Sequence, residues 1–179
     1  MIITVTANTT IDYTLFVPQF EMRTMRATGS VYSMGGKPTD ASWILGENGI
    51  PSLALGFAAG HSGQRVKAML EARGVTTDFI EVGGETRINV VIISENDGGH
   101  ATITTSSLET NERHLTDLRE KLLRDLPDAS CVVIGGTLPK SMHPAFYAEF
   151  IRLIRQQNVP VIFDADEPNL SAGLESRPT

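Results

Sequence analysis

The sequence has 179 residues, of which 41% are hydrophobic and 20% charged, and its formal net charge is −6 at pH 7. This length fits one domain that can bury its own core, and the composition is typical of a globular protein. The acidic balance, without a basic stripe, argues against nucleic acid as a partner, and no apolar run approaches the ~18 residues of a membrane-spanning helix. Because Cys131 is the one cysteine, no internal disulfide can form, and we expect a reducing, cytoplasmic setting.

In chain order, short apolar runs alternate with segments of helical periodicity. The apolar runs predict strands at residues 2–6, 52–57, 78–82, 131–134 and 161–163. The periodic segments predict helices at residues 38–48, 63–73, 111–126, 144–157 and 170–174. Strands that alternate with helices in this way indicate an α/β fold with a doubly wound, mostly parallel sheet and helices on both faces.

Two stretches interrupt the alternation, at about residues 13–34 and 86–104. Their strand-like runs have mixed polarity, and the second contains a hairpin signal at residues 96–99. We therefore predict a small β appendage beside the main sheet. Within the helix at 38–48, the spacing of Ala41, Ile44 and Leu45 predicts the buried face.

Candidate ligand-binding residues follow the first predicted strand and precede the first helix. Asn8 and Asp12 flank a predicted polar turn, where a carboxylate can accept sugar hydroxyls or an Asx residue can shape the turn. Gly35, Gly36 and Lys37 open the helix, as an anion cradle or as a tight turn. The G-G-K sequence is not a Walker A loop, which requires G-x-x-x-x-G-K-[ST].

Further candidates lie in later strands and strand ends. Arg87 and Asn89 point to the same side of a strand, which suits a phosphate and a hydroxyl, or simply a polar edge. Thr137 follows a buried strand, where its hydroxyl can hold a ligand oxygen or belong to an ordinary β–α turn.

A metal site held by the protein alone is not indicated. Asp164, Asp166 and Glu167 cluster after a buried strand, but no histidine or further ligand group lies near them in the sequence. The four histidines also lack ligand spacing.

The order of these motifs is more specific than any one of them. The chain carries, in order, N-x-x-x-D at 8–12, G-G-K at 35–37, L-G-F-x-x-G at 55–60, E-T-R-I-N-V at 85–90, and G-x-L-P at 136–139. This set resembles the phosphofructokinase-B type of ribokinase-like carbohydrate kinases, closest to 1-phosphofructokinases and tagatose-6-phosphate kinases.

The resemblance implies phosphorylation of a ketohexose phosphate (fructose 1-phosphate, fructose 6-phosphate or tagatose 6-phosphate) with ATP and Mg²⁺. It implies that Asp12 holds sugar hydroxyls, that the G-G-K loop wraps the sugar, and that Arg87 grips the existing phosphate. The β appendage would be a lid over the sugar that also pairs two subunits into a homodimer. The expected substrate-binding residues are Asn8, Asp12, Gly35, Gly36, Lys37, Asp40, Arg87, Asn89 and Thr137.

Two departures qualify this expectation. Pro38 and Asp40 stand where the family usually has glycine and asparagine, which removes an N–H donor and adds an anion near the expected sugar phosphate. A second departure concerns two segments of the family that this sequence lacks. The resemblance implies that the N-x-x-E segment, with the magnesium site, and the G-A-G-D segment, with the general-base aspartate, lie beyond residue 179. We therefore expect residues 1–179 to be the N-terminal, sugar-binding part of one domain, without the ATP-binding half or a catalytic residue, and inactive alone. The alternative is a non-catalytic sugar-phosphate binding or assembly module derived from such a kinase.

Overall fold

The computed structural model describes residues 1–105 and 108–179, which form an α/β fold with two sheets. The strands are β1 (Ile2–Thr6), β2 (Thr10–Val17), β3 (Gly29–Gly35), β4 (Ser52–Ala58), β5 (Thr76–Thr77), β6 (Ile80–Glu81), β7 (Arg87–Ser94), β8 (Gly99–Ile103), β9 (Cys131–Gly135) and β10 (Val161–Asp164). The α-helices are α1 (Lys37–Glu47), α2 (Gly60–Glu71), α3 (Glu112–Asp125), α4 (Ala145–Gln156) and α5 (Asn169–Leu174), and a 3₁₀ turn spans Leu126–Asp128.

The main sheet is parallel, with the strand order β10-β9-β1-β4-β5. The short strand β6 also pairs with β4, beyond β5, so that two short strands share one edge of the sheet. Every residue of β4 is buried, as expected for a strand covered on both faces. The predicted α/β class and parallel sheet are therefore confirmed.

Helices cover the main sheet on both faces. On one face, α3 and α4 bury Leu118, Leu122, Phe150 and Ile151 against the strands. On the other face α1 and α2 pack, and Val66 of α2 lies in a second apolar cluster. The buried residues of α2, α3 and α4 recur at helical spacing, as the periodic segments of the sequence indicate.

The predicted buried face of α1 is wrong. Ala41 and Leu45 are only partly buried, and Ile44 is 56% exposed. The helix instead buries a short, mostly polar set, Pro38, Thr39 and Ser42.

The reason is that β1 presents threonines, not apolar residues, to α1. The Thr4 and Ser42 hydroxyl oxygens are 2.6 Å apart in a buried hydrogen bond. The Thr39 hydroxyl donates to the Thr6 hydroxyl at 2.8 Å. Small side chains that satisfy one another let the helix approach the strand closely, and a period count of apolar residues cannot detect such a contact.

The predicted β appendage forms the second sheet, in the order β3-β2-β7-β8. Strands β2 and β7 are parallel, and the two outer pairs are antiparallel. The prediction of a polar turn up to Asp12 is wrong, because β2 begins at Thr10 and contains Asp12. The strand starts early because Ile11, with no exposed surface, anchors it in the apolar cluster around α2.

Candidate functional site

The first group of candidate residues meets at the hydroxyl of Thr137, where the second sheet approaches the carboxyl ends of β1 and β9. The Asn8 side-chain amide donates to Thr137 Oγ1 at 3.2 Å, and Arg87 Nη2 donates to the same atom at 3.1 Å. Arg87 Nε donates to Thr10 Oγ1 at 2.8 Å. Asn8, Arg87 and Thr137 are therefore neighbours in space, although Arg87 and Thr137 lie far apart in sequence.

Arg87 is held in a fixed orientation and retains free hydrogen-bonding capacity. Burial lowers the pKa of its guanidinium, while the charge of Asp12 acts to raise it. A guanidinium stays protonated at neutral pH despite such a shift. Across residues 1–105 and 108–179, its Nη1 group donates no hydrogen bond, so this end of the fork is available to an anion.

The second group forms around Asp12, because the parallel register of β2 and β7 sets Asp12 opposite Asn89. The Asn89 amide nitrogen donates to Asp12 Oδ1 at 2.8 Å. Asn89 is 8% exposed, and its buried Oδ1 has no hydrogen-bond partner in the described part of the chain. Burial raises the pKa of Asp12, and this effect outweighs the Asn89 hydrogen bond and the Arg87 charge, which lower it.

Gly35 makes room for the Asp12 carboxylate. A Cβ atom on Gly35 would lie 2.6 Å from Asp12 Oδ1, which is closer than real contacts allow. The next residue, Gly36, has φ +93° and turns the chain into α1. The two glycines are thus required for close approach and for backbone geometry, in addition to any role with a ligand.

Lys37 pairs across to the end of β10. Its Nζ lies 2.7 Å from Asp164 Oδ1 and 3.3 Å from Asp166 Oδ1, and these contacts raise the pKa of the lysine above its usual value. All three side chains are well exposed, so the pairs add little stability. Asp164 and Asp166 therefore neutralise the charge of Lys37.

The described residues do not fit a resident metal ion. Across residues 1–105 and 108–179, no group of three histidine, cysteine or acidic side chains could hold one. Mg²⁺ and ATP remain expectations from the resemblance.

Asp40 lies on the first turn of α1, where its backbone N–H donates to the Gly36 carbonyl at 2.9 Å. The carboxylate makes no ion pair with Lys37. Although its side chain reaches solvent, surrounding protein atoms withdraw part of the carboxyl group from water. Together with the charge of Asp12, this raises the pKa of Asp40 to about 7.

The loop that carries Thr137 is fixed by groups that the sequence did not single out. The Tyr147 hydroxyl donates to the Gly136 carbonyl at 2.9 Å, and the Gly136 N–H donates to the Asp164 carbonyl at 2.8 Å. Tyr147 has no exposed surface and lies on the apolar face of α4. An apolar stripe gives no sign of this polar contact of Tyr147, and nothing in the sequence marks Thr10 as the partner of Arg87.

Comparisons with known proteins agree with this architecture. A family model described as pfkB family carbohydrate kinase matches residues 3–176. A 1-phosphofructokinase of Borreliella burgdorferi is 30% identical over 99% of this chain and 57% of its own length. A tagatose-6-phosphate kinase of Staphylococcus epidermidis is 28% identical over 98% of this chain and 56% of its own.

A solved structure of a protein with a similar description has the same fold. The Thermotoga maritima protein described as a possible 1-phosphofructokinase superposes with a TM-score of 0.93 and is 28% identical, over 99% of this chain and 57% of that one. The chain thus spans a little over half the length of the relatives that it matches.

Proposed function

Because the chain belongs to the pfkB family of carbohydrate kinases, we propose that it forms the sugar-phosphate-binding part of an ATP-dependent ketohexose-phosphate kinase. The observation that carries the proposal is the half-buried Arg87, whose Nη2 donates to the Thr137 hydroxyl and whose charge acts on the Asp12 carboxylate, while its Nη1 donates no hydrogen bond to any described residue. A cation for a phosphate and acceptors for hydroxyls are the two chemistries that a sugar phosphate requires. The curated relatives named above suggest fructose 1-phosphate and tagatose 6-phosphate, and fructose 6-phosphate is the third candidate.

The proposed roles follow from the two groups of side chains. Arg87 binds the existing phosphate. Thr10 and Thr137 accept hydrogen bonds from its guanidinium, and Asn8 donates to the same Thr137 hydroxyl. Asp12 and Asn89 accept sugar hydroxyls, and the buried Asn89 Oδ1 receives no hydrogen bond from any described residue. The contribution of these residues is to bind and orient the sugar, which is most of the catalytic task in phosphoryl transfer.

We also propose that the 179-residue chain binds its ligand without phosphorylating it. The sequence contains neither the N-x-x-E nor the G-A-G-D segment that the resemblance assigns to magnesium and to the general base. A coupled assay with ATP and each of the three sugar phosphates tests this. Sustained turnover by the purified chain would refute it.

Calorimetry with the same sugar phosphates tests the binding site. We expect one ligand to bind, and Arg87→Ala to weaken that binding at least tenfold, since it removes the phosphate contact. Arg152→Ala is the matched control, because it removes one exposed arginine from α4 and should leave affinity unchanged. If none of the three sugar phosphates binds, the proposed site is wrong.

A non-catalytic binding or assembly module derived from such a kinase is the second candidate, and Pro38 and Asp40 favour it. Pro38 lies in the first turn of α1 and supplies no N–H there, and Asp40 adds a negative charge close to Asp12. In this case the double variant Pro38→Gly/Asp40→Asn should bind a sugar phosphate more tightly than the natural sequence. Unchanged affinity in the double variant would count against degeneration of the site.

We propose that the second sheet is a lid that pairs two copies of the chain. Its exposed apolar side chains include Val31, 48% exposed, and Ile103, 55% exposed, which a partner would cover. Sedimentation velocity should show a dimer that Ile103→Lys or Val31→Lys converts to a monomer. A monomer at all concentrations of the natural sequence would refute the pairing.

None of the described helices is long and apolar enough to cross a lipid bilayer. We propose a reducing, cytoplasmic location because the sequence holds a single cysteine. Detection of the protein mainly outside the cytoplasm after cell fractionation would contradict this.

A further inference from the structure

Two buried hydroxyl groups lie where the second sheet joins the main sheet. Thr9 immediately precedes β2 and Thr86 immediately precedes β7, and neither has any exposed surface. The Thr9 hydroxyl donates to the Phe57 carbonyl at 2.6 Å. The Ala59 N–H donates to the Thr86 hydroxyl at 3.0 Å. Both strands are therefore attached, just before their first residue, to the chain that leaves β4 and enters α2.

The two hydroxyls also contact each other, with 3.4 Å between their oxygens. A hydroxyl has one proton to donate, and the Thr9 proton is directed to Phe57, so the proton between the threonines comes from Thr86. The bonds thus run in one direction, from the Ala59 N–H through Thr86 and Thr9 to the Phe57 carbonyl. The threonine–threonine contact is the longest of the three, so the bonds to the backbone carry most of the attachment.

Glu85 strengthens the same attachment. The Ser62 N–H, in the first turn of α2, donates to Glu85 Oε1 at 2.5 Å, and this bond is the main reason that the pKa of Glu85 lies below its usual value. A Cβ atom on Gly60 would lie 1.8 Å from Glu85 Oε2, so only glycine leaves room for the carboxylate. The Thr86 N–H donates to the Ala59 carbonyl at 3.0 Å. Residues 85 and 86 are therefore bound to the start of α2 through both side chains and the backbone.

The attached residues are the chain neighbours of residues in the candidate sugar site. Thr10 follows Thr9, and Arg87 follows Thr86, so the side chains of each pair point to opposite sides of their strand. The register of β2 and β7 sets Thr10 opposite Arg87, whose Nε donates to the Thr10 hydroxyl at 2.8 Å. One pair of residues thus binds α2, and the next pair faces the site.

We propose that Thr86 is a positioning residue for sugar-phosphate binding. Its hydroxyl holds the start of β7 against α2 and thereby keeps the Arg87 guanidinium where the phosphate binds. Thr86 acts through Arg87, since its own side chain is buried on the opposite side of the strand. This inference rests on the proposed function, to which it adds a residue that does not itself contact the ligand.

Four variants separate positioning from general loss of stability. Thr86→Val keeps the shape of the side chain but leaves the Ala59 N–H, on a residue that is 1% exposed, without its acceptor. Thr86→Ser keeps the oxygen and should restore the natural behaviour. Thr4→Val is the matched control, because it breaks a buried hydroxyl pair with Ser42 that has no bond to this junction. Thr9→Val leaves the Ala59 bond intact and is the milder test should Thr86→Val fail to fold.

The first measurement needs no ligand. Nitrogen-15 NMR of the chain follows the exchange of the Arg87 Nε proton with water, which the bond to Thr10 should slow. We expect this exchange to be about fivefold faster or more in Thr86→Val, which corresponds to the loss of about one hydrogen bond. Thr9→Val should change it in the same direction, and Thr86→Ser and Thr4→Val should match the natural sequence. Equal exchange in Thr86→Val and the natural sequence would overturn the inference.

Calorimetry with fructose 1-phosphate, tagatose 6-phosphate and fructose 6-phosphate is the second measurement. We expect Thr86→Val to bind about fivefold more weakly than the natural sequence, Thr86→Ser to restore the affinity, and Thr4→Val to leave it unchanged. Unchanged affinity in Thr86→Val, or an equal loss in Thr4→Val, would overturn the positioning role. If the natural sequence binds none of the three, the proposed function is wrong, and the exchange of the Arg87 proton still decides whether Thr86 holds Arg87.

Discussion

The hydroxyl contact between β1 and α1 predicts strongly non-additive effects on stability. Thr4 and Ser42 are both completely buried, and their oxygens are 2.6 Å apart. Thr4→Val or Ser42→Ala alone leaves one buried hydroxyl without a partner, which costs about 1–3 kcal/mol. Removing both hydroxyls leaves no unsatisfied group, so the double variant should cost clearly less than the sum. We expect a coupling energy of about 1 kcal/mol or more.

Urea unfolding of the natural sequence, both single variants and the double variant measures this coupling. Ile44→Ala is the control, since Ile44 is 56% exposed and its loss should change the free energy of unfolding by no more than about 0.5 kcal/mol. Additive effects in the double variant would show that the hydroxyl pair is not a unit. A loss of about 2 kcal/mol or more in Ile44→Ala would indicate that Ile44 is buried, as the sequence pattern predicted.

Two further predictions concern Tyr147 and Asp78. Tyr147→Phe leaves the buried Gly136 carbonyl without its hydroxyl donor, so urea unfolding should show a loss of about 1–2 kcal/mol, and a neutral substitution would contradict this. Burial raises the pKa of Asp78, but its contacts with Arg124 and Lys121 outweigh burial, so the net pKa is lowered. The ion pairs therefore stabilise the fold at pH values above the ordinary aspartate pKa, and this stability is lost as the pH falls through the lowered pKa of the folded state. Asp78→Asn should therefore have a lower melting temperature than the natural sequence at pH 7, with a difference that shrinks below about pH 4, and a constant difference would refute the assignment.

The main sheet could be predicted from sequence because its signal is local. A strand such as β9, residues 131–135, carries no polar side chain except that of its cysteine, and it needs no information about its neighbours to be recognised. The helices α3 and α4 were equally clear, since α3 buries Leu118 and Leu122 and α4 buries a wider apolar stripe. By contrast, α1 packs through small hydroxyl side chains, and their burial depends on the threonines of β1, which lie more than 30 residues earlier.

The candidate site was predictable residue by residue but not as an arrangement. Alternation along a strand correctly put Arg87 and Asn89 on one face. Their partners Thr10 and Asp12 also alternate, yet the polar character of residues 8–12 indicated a turn. The decisive fact is the parallel register of β2 and β7, which joins residues 77 positions apart.

The geometry of the site therefore depends on the register between β2 and β7. A slip of β7 by one residue would turn Arg87 and Asn89 to the opposite face and separate both hydrogen-bonded pairs at once. Ile11 opposes such a slip of β2, because it is buried between the two sheets in the cluster around α2. Packing of one apolar side chain therefore fixes the alignment of the polar side chains on either side of it. If the proposed site binds a sugar phosphate, Ile11→Ala should weaken that binding in calorimetry, because it loosens the alignment of β2 with β7.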